Sequence, residues 1–153
     1  MKHWIIFDLD GTLADIEDRR KFSDLGDGKI EWSKFFDPNN IKMDKPKHDV
    51  INILKTFSKD GFSIAIFSGR SKDTEQETIK WLESNNIKWD ILQMRPMSRA
   101  FKFMPDDKLK QMWLDEIFPD KEDIMAVFDD RDKVVNMWRS NGLTCCQVAP
   151  GNF

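Results

Sequence analysis

The length, composition and charge of the chain exclude several classes of function. Its 153 residues amount to about one domain. The chain has 24 basic and 27 acidic side chains and a formal charge of −3, which excludes a globally basic nucleic-acid coat protein. The absence of Tyr and the presence of only two His exclude tyrosyl–nucleic-acid intermediates and multi-histidine metal sites. Charged residues still make up 33% of the chain, against about 25% in an average domain, so their positions matter more than their sum.

The apolar runs of the sequence are too short to cross a membrane. None of them approaches the roughly 20 residues that a bilayer-spanning helix needs. Only Lys2 and His3 separate Met1 from the first apolar run, which leads into acidic residues without the layout of a signal peptide. We therefore expect a cytoplasmic protein with no membrane partner.

Short apolar runs alternate with segments of helical periodicity along the whole chain. In chain order, the pattern predicts a strand at residues 4–9, loops over 14–45 with one short helix near 32–36, a helix opened by Pro46 and ended by Gly61, and a strand at 62–67. It then predicts a helix at 73–85, a strand at 89–94, an irregular loop at 95–105, a helix at 106–117, a strand at 124–128, a helix closed by Gly142 and a strand at 144–148. This alternation predicts an α/β domain with a parallel sheet.

Large and soft side chains are expected inside this domain. Trp81, Trp113 and Trp138 have apolar neighbours at helical spacing, which is typical of core positions. Cys145 and Cys146 are adjacent in the last predicted strand, where they cannot cross-link the fold, and both are expected to be buried.

Acidic and polar residues follow three of the predicted strands at the point where each one ends. Ligands of open parallel sheets bind outside the carboxyl ends of the strands, so we expect these residues to share one crevice. Carboxylates gathered there repel one another, and an all-oxygen set without His or Cys favours Mg²⁺ as the neutralising cation. The residues at these strand ends are Asp8 and Asp10, Ser68 and Arg70, and Asp129 and Asp130.

This arrangement suits phosphoryl transfer through a covalent intermediate. Asp8 lies where the chain turns off its strand, and its carboxylate can attack phosphorus. Asp10 lies on the same side of an extended segment, so it can protonate the leaving oxygen and later deprotonate the attacking water. Ser68 can donate a hydrogen bond to a phosphoryl oxygen. A lysine is needed to stabilise the developing charge, and Lys108 and Lys110 are both candidates.

The motifs together resemble a known family. Asp8-Leu9-Asp10-Gly11-Thr12-Leu13 is similar to the first motif of the haloacid dehalogenase (HAD) superfamily of phosphotransferases, and Ser68, a later Lys and Asp129-Asp130 follow in that superfamily's order. Segments 68–70, 106–110, 129–139 and 147–153 further resemble the 3′-phosphatase domain of phage-type polynucleotide kinase-phosphatases. The resemblance implies one domain over residues 1–153. Its fold would be a HAD-like Rossmannoid three-layer sandwich with about five central parallel strands and a small cap insertion at 14–45.

The resemblance implies catalytic roles for four motif residues. Asp8 would be the nucleophile and Asp10 the general acid and base. Ser68 would contact the phosphoryl group. Lys110 would take the lysine role of the third motif, with Asp106 holding it in place, so the resemblance selects Lys110 over Lys108.

Metal and substrate contacts are implied in the same way. Mg²⁺ would be bound by Asp8, by the main-chain carbonyl of Asp10 and by Asp130. Asp129 would stand behind these ligands and pair with Lys110. The expected substrate-binding residues are Thr12, Arg19, Ser68, Gly69 and Arg70.

The activity that the resemblance implies is removal of 3′-phosphates from nucleic-acid ends or from nucleoside 3′-phosphates, in nucleic-acid repair. No Gly-x-x-x-x-Gly-Lys-Ser/Thr motif occurs in the chain, so the expected partner is a separate kinase or ligase, in the host cytoplasm if a phage encodes the protein. Two alternatives stay open, a small-molecule phosphatase such as a nucleotidase and a catalytically idle module that binds nucleic-acid ends.

The segment 95–105 allows two interpretations. Arg95, Arg99 and Lys102 are interleaved there with Phe101 and Phe103. Cations and aromatic rings in alternation are typical of single-stranded nucleic-acid surfaces, where bases stack on the rings. The same composition is also found in ordinary exposed loops, and the sequence favours neither interpretation.

Overall fold

The computed structural model describes residues 2–153, in which strands and helices alternate. None of the helices in this range is long and apolar enough to cross a membrane. The strands are, in chain order, β1 (Trp4–Phe7), β2 (Ala14–Asp15), β3 (Asp24–Gly26), β4 (Lys29–Ile30), β5 (Lys45–Pro46), β6 (Ser63–Ser71), β7 (Ile91–Arg95), β8 (Ile124–Asp129) and β9 (Cys145–Gln147). The α-helices are α1 (Glu17–Phe22), α2 (Trp32–Phe35), α3 (His48–Lys59), α4 (Glu75–Ser84), α5 (Arg99–Lys102), α6 (Asp106–Ile117) and α7 (Asp132–Ser140), and short 3-10 helices lie at Pro38–Met43, Lys72–Thr74 and Lys121–Asp123.

Five strands form one parallel sheet in the order β7-β6-β1-β8-β9. The central strand β1 pairs with β6 on one side, where Phe7 lies opposite Ile66, and with β8 on the other, where Phe7 lies opposite Phe128. The predicted parallel sheet of about five strands is therefore confirmed. The chain runs from β1 to β6 and β7 on one side of β1 and then crosses to β8 and β9 on the other side. This change of direction creates a crevice at the carboxyl end of β1, where such sheets bind ligands.

Helices cover both faces of this sheet. Successive side chains of a strand point to opposite faces, so Ile5 and Phe7 pack in a core cluster with α3 and α4, whereas Ile6 packs in a second cluster with α6 and α7. The result is the expected three-layer sandwich. The tryptophans predicted in the core are buried in these clusters, namely Trp81, Trp113 and Trp138.

The segment between β1 and α3 holds more regular structure than the sequence predicted. The short helix near 32–36 is confirmed as α2, but α1 and the hairpin of β3 and β4 were missed. Asp27 and Gly28 join the two hairpin strands with φ angles of 53° and 75°. Positive φ at both central residues is the geometry for which an Asp-Gly pair is favoured, so this dipeptide was the available signal.

Three further predictions were wrong in detail. Pro46 does not open a helix but pairs with Ala14 in the short sheet of β2 and β5, and α3 begins at His48. The segment 95–105 is not wholly irregular, since it contains α5. Cys145 is buried but Cys146 is exposed, because neighbouring side chains of the edge strand β9 point to opposite faces.

Candidate active site

The carboxyl ends of β1, β6 and β8 bring three of the predicted motifs together. Asp8 follows β1 directly, Ser68 lies in the last part of β6 and Asp129 ends β8, and all three side chains are buried. The Ser68 hydroxyl oxygen accepts a hydrogen bond from the backbone N–H of Arg70 (3.2 Å), which leaves its own O–H to donate. The parallel pairing of the three strands therefore creates the crevice that the motif positions predicted.

Lys110 joins two carboxylates of this crevice. Its Nζ atom donates to Asp8 Oδ1 at 2.8 Å and to Asp129 Oδ2 at 3.1 Å. Burial lowers the pKa of Lys110, but Asp129 and Asp8 outweigh this effect and hold its pKa above the ordinary value. Lys108, the other candidate on α6, is exposed. The structure thus places Lys110, and not Lys108, against the proposed nucleophile.

The carboxylate of Asp129 is fully occupied by protein donors. Its Oδ2 atom accepts from Lys110 and from the indole N–H of Trp138 (3.1 Å). Its Oδ1 atom accepts from the backbone N–H groups of Asp130 (2.8 Å) and Arg131 (3.3 Å). These contacts fix the turn after β8 and occupy both carboxylate oxygens of Asp129, although this residue also lines the cleft.

Asp129 nevertheless belongs to a cluster of three carboxylates whose combined negative charge favours a metal ion. Oxygen atoms of Asp8, Asp129 and Asp130 lie within 4.8 Å of one another. Burial, followed by the charge of Asp129, raises the pKa of Asp8 well above its ordinary value, because Lys110 offsets these effects only in part. Burial also raises the pKa of Asp130. A cluster with this excess of negative charge and only oxygen donors fits Mg²⁺.

Gly11 is required by the position of Asp130. Gly11 has a φ of +82°, and a Cβ atom built on it would lie 2.0 Å from Asp130 Oδ2. Any other residue would therefore both strain the backbone and push the Asp130 carboxylate out of the cluster. The glycine of the first motif makes room for a side chain of the fourth motif.

Gly11→Ala is expected to lower phosphatase activity at least about 100-fold, an estimate based on the loss of a positioned charged group. Gly142→Ala is the matched control, since Gly142 has nearly the same φ (+79°) but nothing within 4 Å of its built Cβ atom. Both variants should lose about 1–2 kcal/mol of stability from the left-handed backbone, measured by thermal unfolding. Equal activities of the two variants would contradict the role assigned to Gly11.

Asp10 lies in a second network, which contains two arginines and Asp44. Asp10 Oδ1 accepts from Arg70 Nε at 2.9 Å and from Arg19 Nη2 at 3.2 Å. Burial raises the pKa of Asp10, but Arg70 and Arg19 outweigh it and hold the pKa below the ordinary value. Asp10 Oδ2 accepts no hydrogen bond from residues 2–153, so this oxygen is free to exchange a proton with a ligand in the crevice.

The two arginines are less available than the sequence suggested. Arg19 and Arg70 were expected to contact substrate, yet both are almost fully buried. Arg19 Nε donates to Asp44 Oδ1 at 2.9 Å, and Arg70 Nη2 donates to Asp44 Oδ2 at 2.7 Å. A buried guanidinium is stable only when carboxylates compensate its charge. Of the two, Arg70 reaches the wall of the crevice.

Asp44 is a site residue that the sequence analysis missed. Burial raises the pKa of Asp44 to about 6, although Arg70 and Arg19 lower it. Its backbone carbonyl also accepts from the indole N–H of Trp81 at 2.9 Å. Its partners Arg19 and Arg70 are 25 and 26 residues away in the chain, so no local pattern marks the position.

Asp106 was expected to hold Lys110, but the hydrogen bonds of Lys110 go to Asp8 and Asp129, and Asp106 acts on it only through its charge. Its carboxylate accepts from Arg95 Nη2 (2.5 Å) and from Arg131 Nη1 (3.2 Å). A Cβ atom on Gly69 would lie 2.8 Å from Asp106 Oδ1, so the chain after Ser68 packs directly against this carboxylate. Asp106 therefore connects β6, the last residue of β7 and the turn after β8, and Gly69 allows this close packing.

An open cleft of about 590 Å³ lies at this end of the sheet. Asp8, Asp10 and Asp130 line it together with Lys110. Further walls come from residues of segment 14–45 and from residues 149–153. The carboxylate predicted to be the nucleophile, Lys110, the carboxylate predicted to exchange protons and a candidate cation site thus all line one cleft.

Residues 2–153 match the family model HAD_PNKP, described as the polynucleotide kinase PNKP phosphatase domain. The chain belongs to this family. It is accordingly a HAD phosphatase domain of the PNKP type. HAD phosphatases generally use Mg²⁺, and the buried aspartate cluster of this PNKP-type domain can hold such an ion.

Individual relatives agree with this assignment. A protein of Autographa californica nuclear polyhedrosis virus, assigned as a bifunctional polynucleotide kinase/RNA ligase, is 36% identical over 137 residues, which cover 88% of this chain and 17% of the viral protein. A chain of the Pnkp1/Rnl/Hen1 RNA repair complex aligns over 100% of this chain and 44% of its own length, with a TM-score of 0.82 and 27% identity. The PNKP-type domain thus spans less than half of either relative.

The fold is shared more widely. A phosphatase from Clostridium acetobutylicum aligns over 96% of this chain and 84% of its own, with a TM-score of 0.71 and 13% identity. At that identity the likeness concerns the fold. It agrees with a HAD-like architecture for the PNKP-type domain.

Proposed function

We propose that this chain is a Mg²⁺-dependent phosphomonoesterase that removes 3′-phosphates from nucleic-acid ends through an aspartyl-phosphate on Asp8. The observation that carries the proposal is the buried ion pair of Asp8 and Lys110 at the wall of an open cleft, beside the free Oδ2 atom of Asp10. The substrate class is supported by the PNKP family match and by the RNA repair complex that contains a relative.

In the first step, a carboxylate oxygen of Asp8 attacks the phosphorus of the 3′-phosphate. The bond from phosphorus to the 3′-oxygen breaks, and Asp10 gives its proton to that oxygen, which leaves as a hydroxyl. Lys110 stabilises the charge on Asp8 and on the transferring group, since its Nζ atom already lies 2.8 Å from Asp8. A phosphate dianion in the cleft beside Arg70 would offset part of the guanidinium charge that lowers the pKa of Asp10, and so favour the protonated form that this step needs.

In the second step, water attacks the phosphorus of the aspartyl-phosphate. Asp10 accepts the water proton at its free Oδ2 atom, the bond between Asp8 and phosphorus breaks, and inorganic phosphate leaves. The guanidiniums of Arg19 and Arg70 lower the pKa of Asp10, which favours the ionised form that accepts this proton. Both carboxylates return to their starting states at the end of the cycle.

The cation would be held by Asp8, Asp130 and the main-chain carbonyl of Asp10. When bound, Mg²⁺ supplies positive charge that offsets the carboxylates and the phosphoryl oxygens. Asp129 has no free lone pair left for it, because Lys110, Trp138 and two backbone N–H groups occupy its oxygens.

Segment 14–45 is proposed to act as a small cap on a single catalytic domain, in a cytoplasmic enzyme. It contributes one wall of the cleft and still leaves the cleft open enough for a polymer end. A kinase or ligase acting on the same nucleic-acid ends is the proposed partner. The viral relative assigned as a kinase/ligase and the Pnkp1/Rnl/Hen1 complex support this context.

A substrate panel tests the proposed function. The value of kcat/KM for phosphate release should be highest for a single-stranded oligonucleotide 3′-phosphate and lower for free 3′- and 5′-mononucleotides. Phosphate release should stop when EDTA removes the cation. A preference for mononucleotides would identify a small-molecule phosphatase. Tight end binding without turnover on any phosphomonoester would identify an idle binding module.

Mg²⁺ is expected to raise the thermal unfolding midpoint, and the rise should shrink as the pH falls. Burial raises the pKa values of Asp8 and Asp130, so these groups take up protons at a higher pH than ordinary carboxylates do. Protons and Mg²⁺ compete for the same oxygens, and the stabilisation by a ligand disappears when it cannot bind. Asp130→Asn should remove most of the rise, measured by calorimetry, whereas a rise that grows towards acid pH would contradict the site.

A further inference from the structure

We propose that Trp32, supported by Phe36, is a stacking platform for the unpaired terminal base of a 3′ end. The inference rests on the proposed function and deepens it, because it assigns the residue that makes the cleft specific for a nucleotide rather than for any phosphomonoester. The platform residue lies on α2 of segment 14–45 and lines the same cleft as Asp8 and Asp10.

The platform consists of aromatic rings that the fold leaves exposed. Trp32 is 59% exposed and Phe36 is 43% exposed, although both are large apolar side chains. Their rings are nearly parallel, with centroids 5.6 Å apart and an interplanar angle of 21°. Exposed, stacked rings that line a catalytic cleft are suited to bind a flat partner.

The rings are held rigidly against the catalytic network. Phe35 is buried and contacts Trp32 edge-on at 5.7 Å and Phe36 edge-on at 5.2 Å. The Arg19 guanidinium lies over the Phe35 ring at 4.5 Å and donates to Asp10. The chain of contacts from Asp10 to Trp32 therefore fixes the platform relative to the reacting phosphate and lowers the entropy cost of binding a base there.

The charges of the cleft match a nucleic-acid strand better than an apolar protein segment. Arg20 and Lys102 line the cleft, and within residues 2–153 neither of them pairs with a carboxylate. Lys47 and Arg131 lie in the same lining, but Lys47 donates to the Gly11 carbonyl, and Arg131 donates to the Phe153 carbonyl and to Asp106. Cations beside exposed rings are the combination that binds backbone phosphates and bases of single strands together.

Stacking on Trp32 requires that the terminal base is unpaired. The protein should therefore act on single strands and 3′ overhangs of either DNA or RNA in preference to a blunt duplex end, where the base would first have to leave its pair. Base–aromatic stacking tolerates every base. The platform thus predicts selectivity for strand-end geometry and little selectivity for sequence.

The test pairs enzyme variants with a substrate that lacks the base. The substrates are a single-stranded oligonucleotide 3′-phosphate and the same strand with a tetrahydrofuran residue at its 3′-phosphorylated terminus. Trp32→Ala should raise KM about tenfold on the intact strand and less than about twofold on the strand without the terminal base. Trp32→Phe should retain most of the affinity, since a ring is still present.

Two further variants locate the effect. Leu25→Ala is the matched control, because Leu25 is exposed in the hairpin of the same segment but does not line the cleft. Its KM should stay within about twofold on both substrates. Phe103→Ala removes an exposed ring of the segment 95–105, the rival nucleic-acid surface. A large effect from Phe103→Ala with none from Trp32→Ala would overturn the inference in favour of that segment.

The remaining outcomes separate this inference from the proposed function. Equal rises in KM for Trp32→Ala on the two strands would overturn the stacking platform while phosphatase action on 3′ ends stands. Failure of the unaltered protein to hydrolyse any 3′-phosphorylated strand in Mg²⁺ would overturn the proposed function, and the platform with it.

Discussion

Replacing Asp8 by Asn is expected to lower phosphate release from a 3′-phosphorylated oligonucleotide at least about 10⁴-fold while the chain stays folded. An amide cannot form the covalent bond to phosphorus that the proposed first step needs. The substitution also removes one of the two carboxylates that contact Lys110, but Asp129 remains at 3.1 Å to compensate the buried ammonium. Initial rates and thermal unfolding of the same preparations measure both effects.

The stability of the Asp8→Asn variant is an informative control. Burial and Asp129 raise the pKa of Asp8 well above its ordinary value, so its charge is unfavourable in the folded chain without a cation. The neutral variant should therefore unfold at a midpoint no lower than that of the unaltered protein when EDTA is present. Full activity in a folded Asp8→Asn variant would exclude Asp8 as the nucleophile.

Replacing Arg70 by Ala is expected to cost about 3–5 kcal/mol of stability and to abolish activity. Arg70 donates to both Asp10 and Asp44, and its loss leaves the buried carboxylate of Asp44 and the partly buried carboxylate of Asp10 with Arg19 as their remaining arginine. Breaking a buried ion pair on one side has a cost of this size. Denaturant unfolding measures the change. Arg139→Ala is a suitable control because Arg139 is exposed and its side chain donates, within residues 2–153, only to the carbonyl of Cys145.

The loss in Arg70→Ala should depend on pH. Burial raises the pKa of Asp44 from 3.8 to about 6, with Arg70 opposing the shift. When folding raises the pKa of an acid, the free energy of unfolding of the protein falls as the pH rises from the pKa of the unfolded state to that of the folded state. Without Arg70 the folded pKa rises further, so the deficit of the variant should be smallest near pH 4 and should grow beyond pH 6. A deficit that is constant over this range would show that the ion pairs do not cause it.

The sequence was sufficient for the central sheet and the carboxylates at its edge. Strands β1 and β8 and the first part of β6 are short apolar runs, and this signal is local. Strand β6 continues to Ser71, so Ser68 and Arg70 lie within the strand and not after it. Parallel pairing then brings Asp8 and Asp129 together without further information. Lys110 needed the family resemblance, because helical periodicity alone did not separate it from Lys108.

The segment 14–45 was predicted less well, for two physical reasons. Its helix α1 has only six residues, and its hairpin depends on the single Asp27-Gly28 turn. Elements this short are not long enough to show a helical or strand periodicity in the sequence. The role of Asp44 depends on partners that folding brings from distant segments. The same is true of Arg19 and Arg70. The sequence suggested that they contact phosphate, but both side chains are buried and donate hydrogen bonds to the carboxylate of Asp44.

The most direct test of the central proposal is an acid-quenched single turnover with an oligonucleotide that carries a ³²P-labelled 3′-phosphate. The label is expected to appear transiently on the protein at Asp8, before inorganic phosphate is released, and the Asp8→Asn variant is expected to stay unlabelled. Label on a residue other than Asp8, or phosphate release by Asp8→Asn at the unaltered rate, would contradict the proposal.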